Sequence, residues 1–197
     1  GALVALIGSA AMAAPPGNTN LTATAKYSAS SEWESDQGNT TFVAAKAFDG
    51  DLTTRWNVAS GDNDGSWIEA DWDQPVTINK VVVRQAFNRL AGFRVQQRDA
   101  GSTDWKDAYV AEDAGYTAVV GVDPNNPTFN IRLAQPIQTA GLRILFTQTL
   151  SAPSIFEVEA WNNPAGTVTG TVTDASGKPV AGATVSAGGD QTTTDAA

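Results

Sequence analysis

The sequence contains no cysteine and no histidine. Without cysteine, neither a disulfide nor a thiolate metal site can stabilise the fold. Without histidine, the chain cannot form a Ser-His-Asp or Cys-His catalytic arrangement, and it cannot bind zinc through imidazole. Any metal that this protein binds must therefore be a hard cation held by oxygen atoms.

Basic residues are scarce. The chain has 12 Lys and Arg against 21 Asp and Glu, which gives a formal net charge of −9. Nucleic-acid binding requires a concentrated basic surface, and attraction to anionic membranes requires one too. The composition therefore predicts no nucleic-acid partner and no membrane insertion, whereas an acidic surface is compatible with calcium and with neutral sugars.

The chain also lacks a long hydrophobic run. The apolar N-terminus GALVALIG is too short to span a bilayer, and the small residues SAAMAAPPG follow it. This pattern resembles the apolar region and the Ala-x-Ala cleavage zone of a secretory signal, with the cut before Ala14. We expect residues 1–13 to be the remnant of a signal peptide, residues 14–22 to be a linker, and the protein to be secreted. The alternative is a short buried apolar segment.

Aromatic residues are absent from the C-terminal tail. All six Trp, three Tyr and seven Phe lie between Tyr27 and Trp161, so the core is expected within residues 23–162. The tail predicts short strands at Val168–Val172 and Ala183–Val185, with a turn at Asp174–Pro179. It resembles the start of a carboxypeptidase-regulatory-like domain, a small β-sandwich. Residues 163–197 are too few to close such a core alone, so we expect a partial domain or a linker, with a disordered polar tail as the alternative.

Within the aromatic block, apolar residues recur at every second position in five segments: Ile68–Trp72, Val81–Val83, Phe93–Gln97, Phe129–Leu133 and Leu142–Phe146. This period of two is typical of half-buried antiparallel strands. The only helical indication is a turn or two around Ala44–Phe48. The pattern predicts an all-β sandwich or barrel with Trp56 and Trp72 in its core.

The most informative segment is KAFDGDLTTRW, residues 46–56. Gly50 permits a sharp turn, so that Asp49, backbone carbonyls and Thr54 can converge on one cation. The same residues also fit an ordinary surface turn in which Asp side chains bind local amides. The spacing alone leaves both interpretations open.

Three motifs together carry a family resemblance: KAFDGDLTTRW, SWIEADWDQPVTINKVVVRQ and SIFEVEAW. In this order they resemble the discoidin, or coagulation factor 5/8 type C, family, which includes many galactose-binding-like carbohydrate-binding modules. The resemblance covers roughly residues 23–162. It implies a discoidin-like β-sandwich, or jelly roll.

The resemblance also implies a structural calcium ion that joins an early loop to the last strand. The implied ligands are the carbonyls of Lys46 and Asp51, the carboxylate of Asp49, the hydroxyl and carbonyl of Thr54, the carbonyl of Phe156 and the carboxylate of Glu157. In a protein without disulfides, such an ion would stabilise the folded chain because it binds only that state.

Candidate sugar-binding residues are Trp33, Asn88 and Arg89. Trp33 lies in the polar segment SASSEWESDQGNTT, where an exposed indole could stack on a sugar ring. In the resembled family, the corresponding loop lies on the ligand-binding rim. Asn88 and Arg89 lie in the turn QAFNRLAG, and an arginine can bond two neighbouring hydroxyls. The loops at 57–64 and 111–116 are further candidates, and the alternative for each residue is an ordinary solvated loop position.

The predicted function is that of a non-catalytic carbohydrate-binding module, monomeric, within a larger secreted and glycan-degrading bacterial protein. The alternative is a cell-surface adhesion domain that binds protein or another non-sugar ligand. An enzyme is disfavoured because the carboxylate pairs Glu69/Asp71 and Glu157/Glu159 are neighbours on single strands, whereas glycoside hydrolysis needs carboxylates that face each other. Galactose-binding members of the family often use a rim histidine, which this chain lacks, so the sugar stays open.

Overall fold

The computed structural model describes residues 19–111, 125, 127–163, 171–187 and 190–195. Within this part the regular structure comprises three short 3₁₀ turns, Leu21–Thr24, Ser35–Gln37 and Ala44–Ala47, and nine strands. The strands are β1 Lys26–Ala29, β2 Trp56–Asn57, β3 Trp67–Gln85, β4 Leu90–Arg98, β5 Trp105–Ala111, β6 Thr128–Thr149, β7 Ser154–Trp161, β8 Thr184–Ala187 and β9 Asp190–Thr193.

Seven strands pair antiparallel in the order β2-β7-β3-β6-β4-β5, with β1 added to β3. The long strands β3 and β6 pair along most of their length, and their register is interrupted between Asp71 and Val76 and again between Ile78 and Lys80. Such irregularities let a strand bend. Each long strand therefore contributes to two layers, and the all-β sandwich that the sequence predicts is confirmed.

The core lies between these layers and follows the predicted alternation. The apolar members of all five alternating segments are buried, from Ile68, Ala70 and Trp72 to Leu142, Ile144 and Phe146. Trp56 is fully buried, its ring stacks on Phe146 at 5.8 Å, and its indole N–H donates to the Ser31 carbonyl. The core positions of Trp56 and Trp72 are confirmed, and the single helical indication is the 3₁₀ turn Ala44–Ala47.

The compact unit begins before residue 23. The Asn20 side chain accepts hydrogen bonds from the Thr22 and Ala160 backbone N–H groups, and Thr22 is fully buried. The Trp72 indole donates to the Leu21 carbonyl. The end of the segment predicted as linker therefore packs on the sandwich, because its polar groups satisfy backbone donors of β7 and a core tryptophan.

The two ends of the sandwich differ in what they carry. Lys26 pairs with Asp73, and the Asn163 N–H donates to Asn79, so the chain enters and leaves the sandwich beside the bend of β3. The opposite end holds the loops that precede and follow β3, at residues 58–66 and 86–89. The sandwich does not connect to the rest of the chain at this end, so these loops can form a surface site.

The C-terminal residues belong to a separate compact unit. The predicted turn at Asp174–Pro179 is present, with the Asp174 N–H bonded to the Lys178 carbonyl. The strand expected at Ala183–Val185 corresponds to β8, which pairs with β9 in a hairpin. Residues 1–13 and most of the expected strand at 168–172 lie outside the described residues. The identity of 163–197 as a partial carboxypeptidase-regulatory-like domain stays a prediction.

Among the described residues, no helix has the length and apolar character that crossing a membrane requires.

Replacing Trp56 with Ala is expected to lower the free energy of unfolding by about 3–5 kcal/mol, because a fully buried indole and its stacking on Phe146 are lost. Leu52→Ala, at a half-exposed position in the loop before Trp56, should change it by less than about 0.5 kcal/mol. Urea denaturation of both variants measures the difference, and similar losses would contradict the assignment of Trp56 to the core.

Candidate functional site

Residues 46–54 form a tight loop, called here the Asp49 loop. Gly50 adopts a left-handed conformation with φ +74°, which Gly permits without strain. The Asp49 carboxylate accepts a hydrogen bond from the Asp51 N–H, and Phe48 stacks on Tyr27 of β1 with ring centroids 4.6 Å apart. The loop is thus fixed both by its own turn and by an aromatic contact to the sandwich.

Oxygen atoms converge on the Thr54 hydroxyl. Its Oγ1 lies 2.8 and 3.0 Å from the two Asp49 carboxylate oxygens. The carbonyls of Asp51 and Lys46 are 3.1 and 3.5 Å from the same atom. A hydroxyl has one proton and can satisfy one of these four acceptors. The Asp49 carboxylate also accepts from the Asp51 N–H and pairs with the Lys46 ammonium at 3.2 Å. Together with the carbonyls of Lys46 and Asp51, it forms a cluster of oxygens of the kind that binds a cation.

The Asp51 side chain turns away from this point. Its carboxylate accepts hydrogen bonds from the N–H and hydroxyl of Thr53, which lower the pKa of Asp51. The backbone carbonyl of Asp51 is therefore the atom that faces Thr54, as the family resemblance implies.

Glu157 links the Asp49 loop to β7. Its Oε2 accepts a hydrogen bond from the Gly50 N–H at 3.0 Å, across 107 residues of chain. The side chain is 1% exposed, and its Oε1 is buried with no hydrogen-bond partner among the described residues. Burial raises the pKa of Glu157 to about 7, and the Asp49 carboxylate adds to this shift. A buried acceptor without a donor is costly unless a cation or another group occupies the space beside it.

Phe156 forms a β-bulge in β7. Strand β3 pairs Arg84 with Glu157 and Gln85 with Ile155, so that Phe156 has no opposite residue in this register. A bulge leaves the backbone of the extra residue outside the regular ladder. The bulge therefore frees the Phe156 backbone beside the carboxylate of Glu157.

The donor set of this site suits a hard cation. No group of three His, Cys, Asp or Glu side chains that could hold a metal occurs among the described residues. The oxygens here come instead from two carboxylates, a hydroxyl and backbone carbonyls, which is the mixture that Ca²⁺ accepts. The structure brings together Lys46, Asp49, Asp51 and Thr54, and Gly50 connects them to Glu157.

A second feature lies next to the Asp49 loop, at the end of the sandwich away from the termini. It is a cleft of about 340 Å³, called here the Trp33 cleft. Its lining residues come from four separate segments of the chain: Trp33, Arg55, Asn57, Val58, Ser60, Phe87, Arg89, Ser151 and Ala152. Two of the three predicted ligand-binding residues are among them.

Trp33 is half-buried, which differs from the exposed position expected from its polar neighbours. Its ring packs on Phe42 at 4.9 Å, and its backbone N–H donates to the Asn57 carbonyl. The polar residues around it are loop positions, and the packing partner is supplied by a segment nine residues further along. One side of the indole is thereby fixed, while the residue still lines the cleft.

Arg55 and Arg89 flank the ring of Phe87. The Arg89 guanidinium carbon lies 4.4 Å from the Phe87 ring centroid and that of Arg55 lies 5.5 Å from it. Arg55 also lies 4.7 Å from the Phe42 centroid, so two aromatic rings hold it. Each contact is a cation–π interaction, and together they order the floor of the Trp33 cleft.

Buried Gln85 shapes the turn that carries Phe87 and Arg89. Its Oε1 accepts hydrogen bonds from the N–H groups of Arg89 and Leu90 at 2.9 and 3.2 Å. Phe87 has a φ of +66°, a left-handed conformation that is uncommon for a bulky residue and marks strain. Asn88, the third predicted ligand-binding residue, is half-buried and does not line the cleft.

Sequence analysis did not identify Arg55, Phe87 or Gln85 as site residues. Arg55 immediately precedes a buried tryptophan in β2, and alternation along a strand places it on the other face. The position of Arg55 next to a core tryptophan could therefore have been read from the sequence. Its contact with Phe87 could not, because the two residues are 32 positions apart in different loops. The loop 57–64 does contribute Asn57, Val58 and Ser60, whereas 112–116 lies outside the described residues.

The carboxylate pairs considered for catalysis are engaged in ion pairs or in the Asp49 loop. Glu69 pairs with Arg143 at 2.9 Å and Glu159 with Arg84 at 2.9 Å. Asp71 pairs with Arg98, while Glu157 binds Gly50. These contacts give each carboxylate a structural partner.

Comparison with known proteins gives one family match. Residues 26–164 match the model of the F5/8 type C domain. A search of curated protein sequences found no match.

Solved structures share the fold. A variant of chitosan-binding module 1, from a chitosanase/glucanase of Paenibacillus sp. IK-5, is 25% identical with a TM-score of 0.61, covering 74% of this chain and 100% of that one. Chitosan-binding module 2 of the same enzyme, in complex with chitotriose, is 22% identical with a TM-score of 0.56, covering 71% and 97%. The family 32 module of C. perfringens NanJ, in complex with galactose, is 15% identical with a TM-score of 0.56, covering 72% and 96%.

Gln85→Leu is expected to destabilise the protein by about 2–4 kcal/mol, because it leaves the Arg89 and Leu90 N–H groups without their acceptor. Gln97→Leu is the control, since Gln97 is half-buried on β4 and is not part of this turn. Thermal and urea unfolding of both variants measure the effect. A loss no larger than that of the control would show that Gln85 does not hold the turn.

Proposed function

Because the chain belongs to the F5/8 type C domain family, we propose that it is a non-catalytic carbohydrate-binding module whose sugar site is the Trp33 cleft. The single observation that carries this proposal is the composition of the cleft, where a fixed indole lies beside arginine N–H donors. Solved relatives described as binding chitosan, chitotriose or galactose support the same class of ligand.

The geometry suits a sugar ring. An indole offers a flat apolar surface to the C–H face of a pyranose, and Phe42 limits the freedom that binding would otherwise remove. The guanidinium groups of Arg55 and Arg89 offer planar sets of donors to ring substituents. Asn57 and Ser60 add polar groups at the edge of the same cleft. Apolar lining with a few fixed polar groups is the usual composition of a small-molecule site.

The Asp49 loop, in this proposal, binds a structural Ca²⁺ through Lys46, Asp49, Asp51, Thr54, Phe156 and Glu157. The convergence of oxygens on the Thr54 hydroxyl and the orphaned Oε1 of Glu157 support it. The ion would neutralise two carboxylates and join the loop to β7. Its role would be structural, because loop and strand oxygens surround it.

The proposal also places the module in a secreted, multidomain, glycan-degrading protein, in which a bound module would raise the local concentration of a catalytic domain on its substrate. The support is the resemblance of GALVALIG and the small residues after it to a secretory signal. The family 32 module and chitosan-binding relatives support a module that acts as part of a larger protein.

Trp33→Ala is expected to weaken sugar binding at least about tenfold, because the stacking surface for the ring is lost. Trp161→Ala is the matched control: Trp161 is also half-buried but lies at the end of β7, outside the cleft. A glycan array identifies the sugar, and isothermal titration gives the affinities. Equal effects of the two substitutions on binding would place the site elsewhere.

Calcium is expected to raise the melting temperature of the chelator-treated protein by roughly 5–10 °C when free Ca²⁺ is about 100 times its Kd, since that occupancy stabilises the fold by about 2.7 kcal/mol. The Glu157→Gln variant should lose this increase, while Asp104→Asn, at an exposed acid outside the Asp49 loop, should keep it. Differential scanning calorimetry measures the shift. No increase in the unmodified protein would overturn the metal assignment.

A further inference from the structure

The charge of the Trp33 cleft is opposite to that of the protein. The chain carries a net charge of −9, yet the described residues that line the cleft include two arginines and no Asp or Glu. Both guanidinium carbons lie within 5.5 Å of the Phe87 ring centroid, and burial and the nearby charge of Arg55 lower the pKa of Arg89. Phe87, strained into a left-handed conformation, contacts both of them.

These two arginines differ from the others in the described part of the chain. Arg84, Arg94, Arg98 and Arg143 each form an ion pair with a carboxylate at 2.9 Å or less. Arg132 is exposed on β6. Only Arg55 and Arg89, among the described arginines, are half-buried without a carboxylate partner. The chain has more acidic than basic residues, yet Arg55 and Arg89 form no ion pair with a carboxylate of any described residue.

The guanidinium group of Arg55 is held by contacts with two aromatic rings, those of Phe42 and Phe87, and not by a carboxylate of the described residues. Its Nε is buried and has no hydrogen-bond partner among the described residues. Arg89 donates through Nη1 to the Ala152 carbonyl, which is a neutral acceptor. The cleft therefore holds two fixed cations whose charge no described side chain neutralises.

An unpaired, partly desolvated cation costs free energy that a bound anion would recover. A planar guanidinium fork matches the oxygens of a carboxylate or a sulfate and can bond them bidentately. The groove on the other side of Trp33 is lined by Glu32, Glu34 and Asp36, so a negative group would be repelled there and attracted to the arginine side. A negatively charged sugar stacked on Trp33 would thus be oriented with its charged group toward the arginines.

Building on the proposed carbohydrate-binding function, we infer that the Trp33 cleft selects a sugar that carries a negatively charged substituent, a carboxylate or a sulfate, which binds to the guanidinium groups of Arg55 and Arg89. Carboxylates and sulfates both present negatively charged oxygen atoms to the arginines, and the following experiment distinguishes them.

The test is a set of immobilised polysaccharides, each next to a neutral counterpart of the same backbone. Polygalacturonate and alginate are compared with their carboxyl-reduced forms, and dextran sulfate with dextran. We expect at least about tenfold tighter binding to the charged member of a pair, because hydrogen bonds to charged groups are the stronger ones. The pair that shows the preference identifies carboxylate or sulfate as the ligand group.

Arg55→Gln and Arg89→Gln should each weaken binding to the charged member of a pair more than binding to its neutral counterpart, and so remove most of this preference. Arg132→Gln is the matched control: it changes the net charge equally at an exposed site and should leave the preference within about twofold. Circular dichroism and melting temperatures verify that each variant is folded. A preference that survives both cleft substitutions, or that Arg132→Gln removes equally, would overturn the inference.

The outcomes separate this inference from the function on which it rests. Equal or tighter binding to the neutral members would contradict the charge selection and leave the carbohydrate-binding function standing. If the protein bound only neutral sugars or amino sugars on a wider glycan array, the charge selection would likewise be contradicted and the carbohydrate-binding function would stand. Absence of binding to every glycan on the array would contradict both.

Discussion

The contact on which the functional end of this protein depends is the hydrogen bond between the Gly50 N–H and the buried carboxylate of Glu157. It joins the Asp49 loop to the last strand of the sandwich across 107 residues, in a chain without disulfides. By itself it satisfies only one of the two carboxylate oxygens. A carboxylate buried in this way is costly unless a cation compensates it, and the proposed calcium ion would do so with the oxygens that the same loop gathers around Thr54.

The Asp49 loop leads directly into the Trp33 cleft. Thr54 is followed by Arg55 and Trp56, and strand alternation sends the tryptophan into the core and the arginine to the opposite side. Fixing the loop against Glu157 thus also fixes the position of Arg55. The proposed metal site and the proposed sugar site are therefore coupled, since the segment that would bind the ion also supplies Arg55 to the cleft.

Sequence periodicity was sufficient for the architecture because a half-buried strand must alternate, and Ile68, Phe93 and Leu142 are buried as their segments require. Local spacing predicted a sharp turn at Gly50, which the structure has, whereas the ligand set of the Asp49 loop came from the family resemblance and stays a prediction. The cleft could be predicted only in part. Trp33 is half-buried because Phe42 packs on it, and the Arg55–Phe87 contact joins two loops, neither of which carries a local signature. Contacts between distant loops follow from the whole fold rather than from spacing.

The central claim is that sugar binds in the Trp33 cleft. The most direct measurement is an NMR titration of the ¹⁵N-labelled protein. The ligand is a polygalacturonate oligosaccharide or the best ligand of a glycan array. The indole N–H signals of the six tryptophans and the Nε–H signals of the arginines report separate positions. Saturable shifts concentrated at Trp33, Arg55 and Arg89, with the signals of Trp72 and Trp161 unchanged, are the predicted result. Shifts confined to other residues would contradict it.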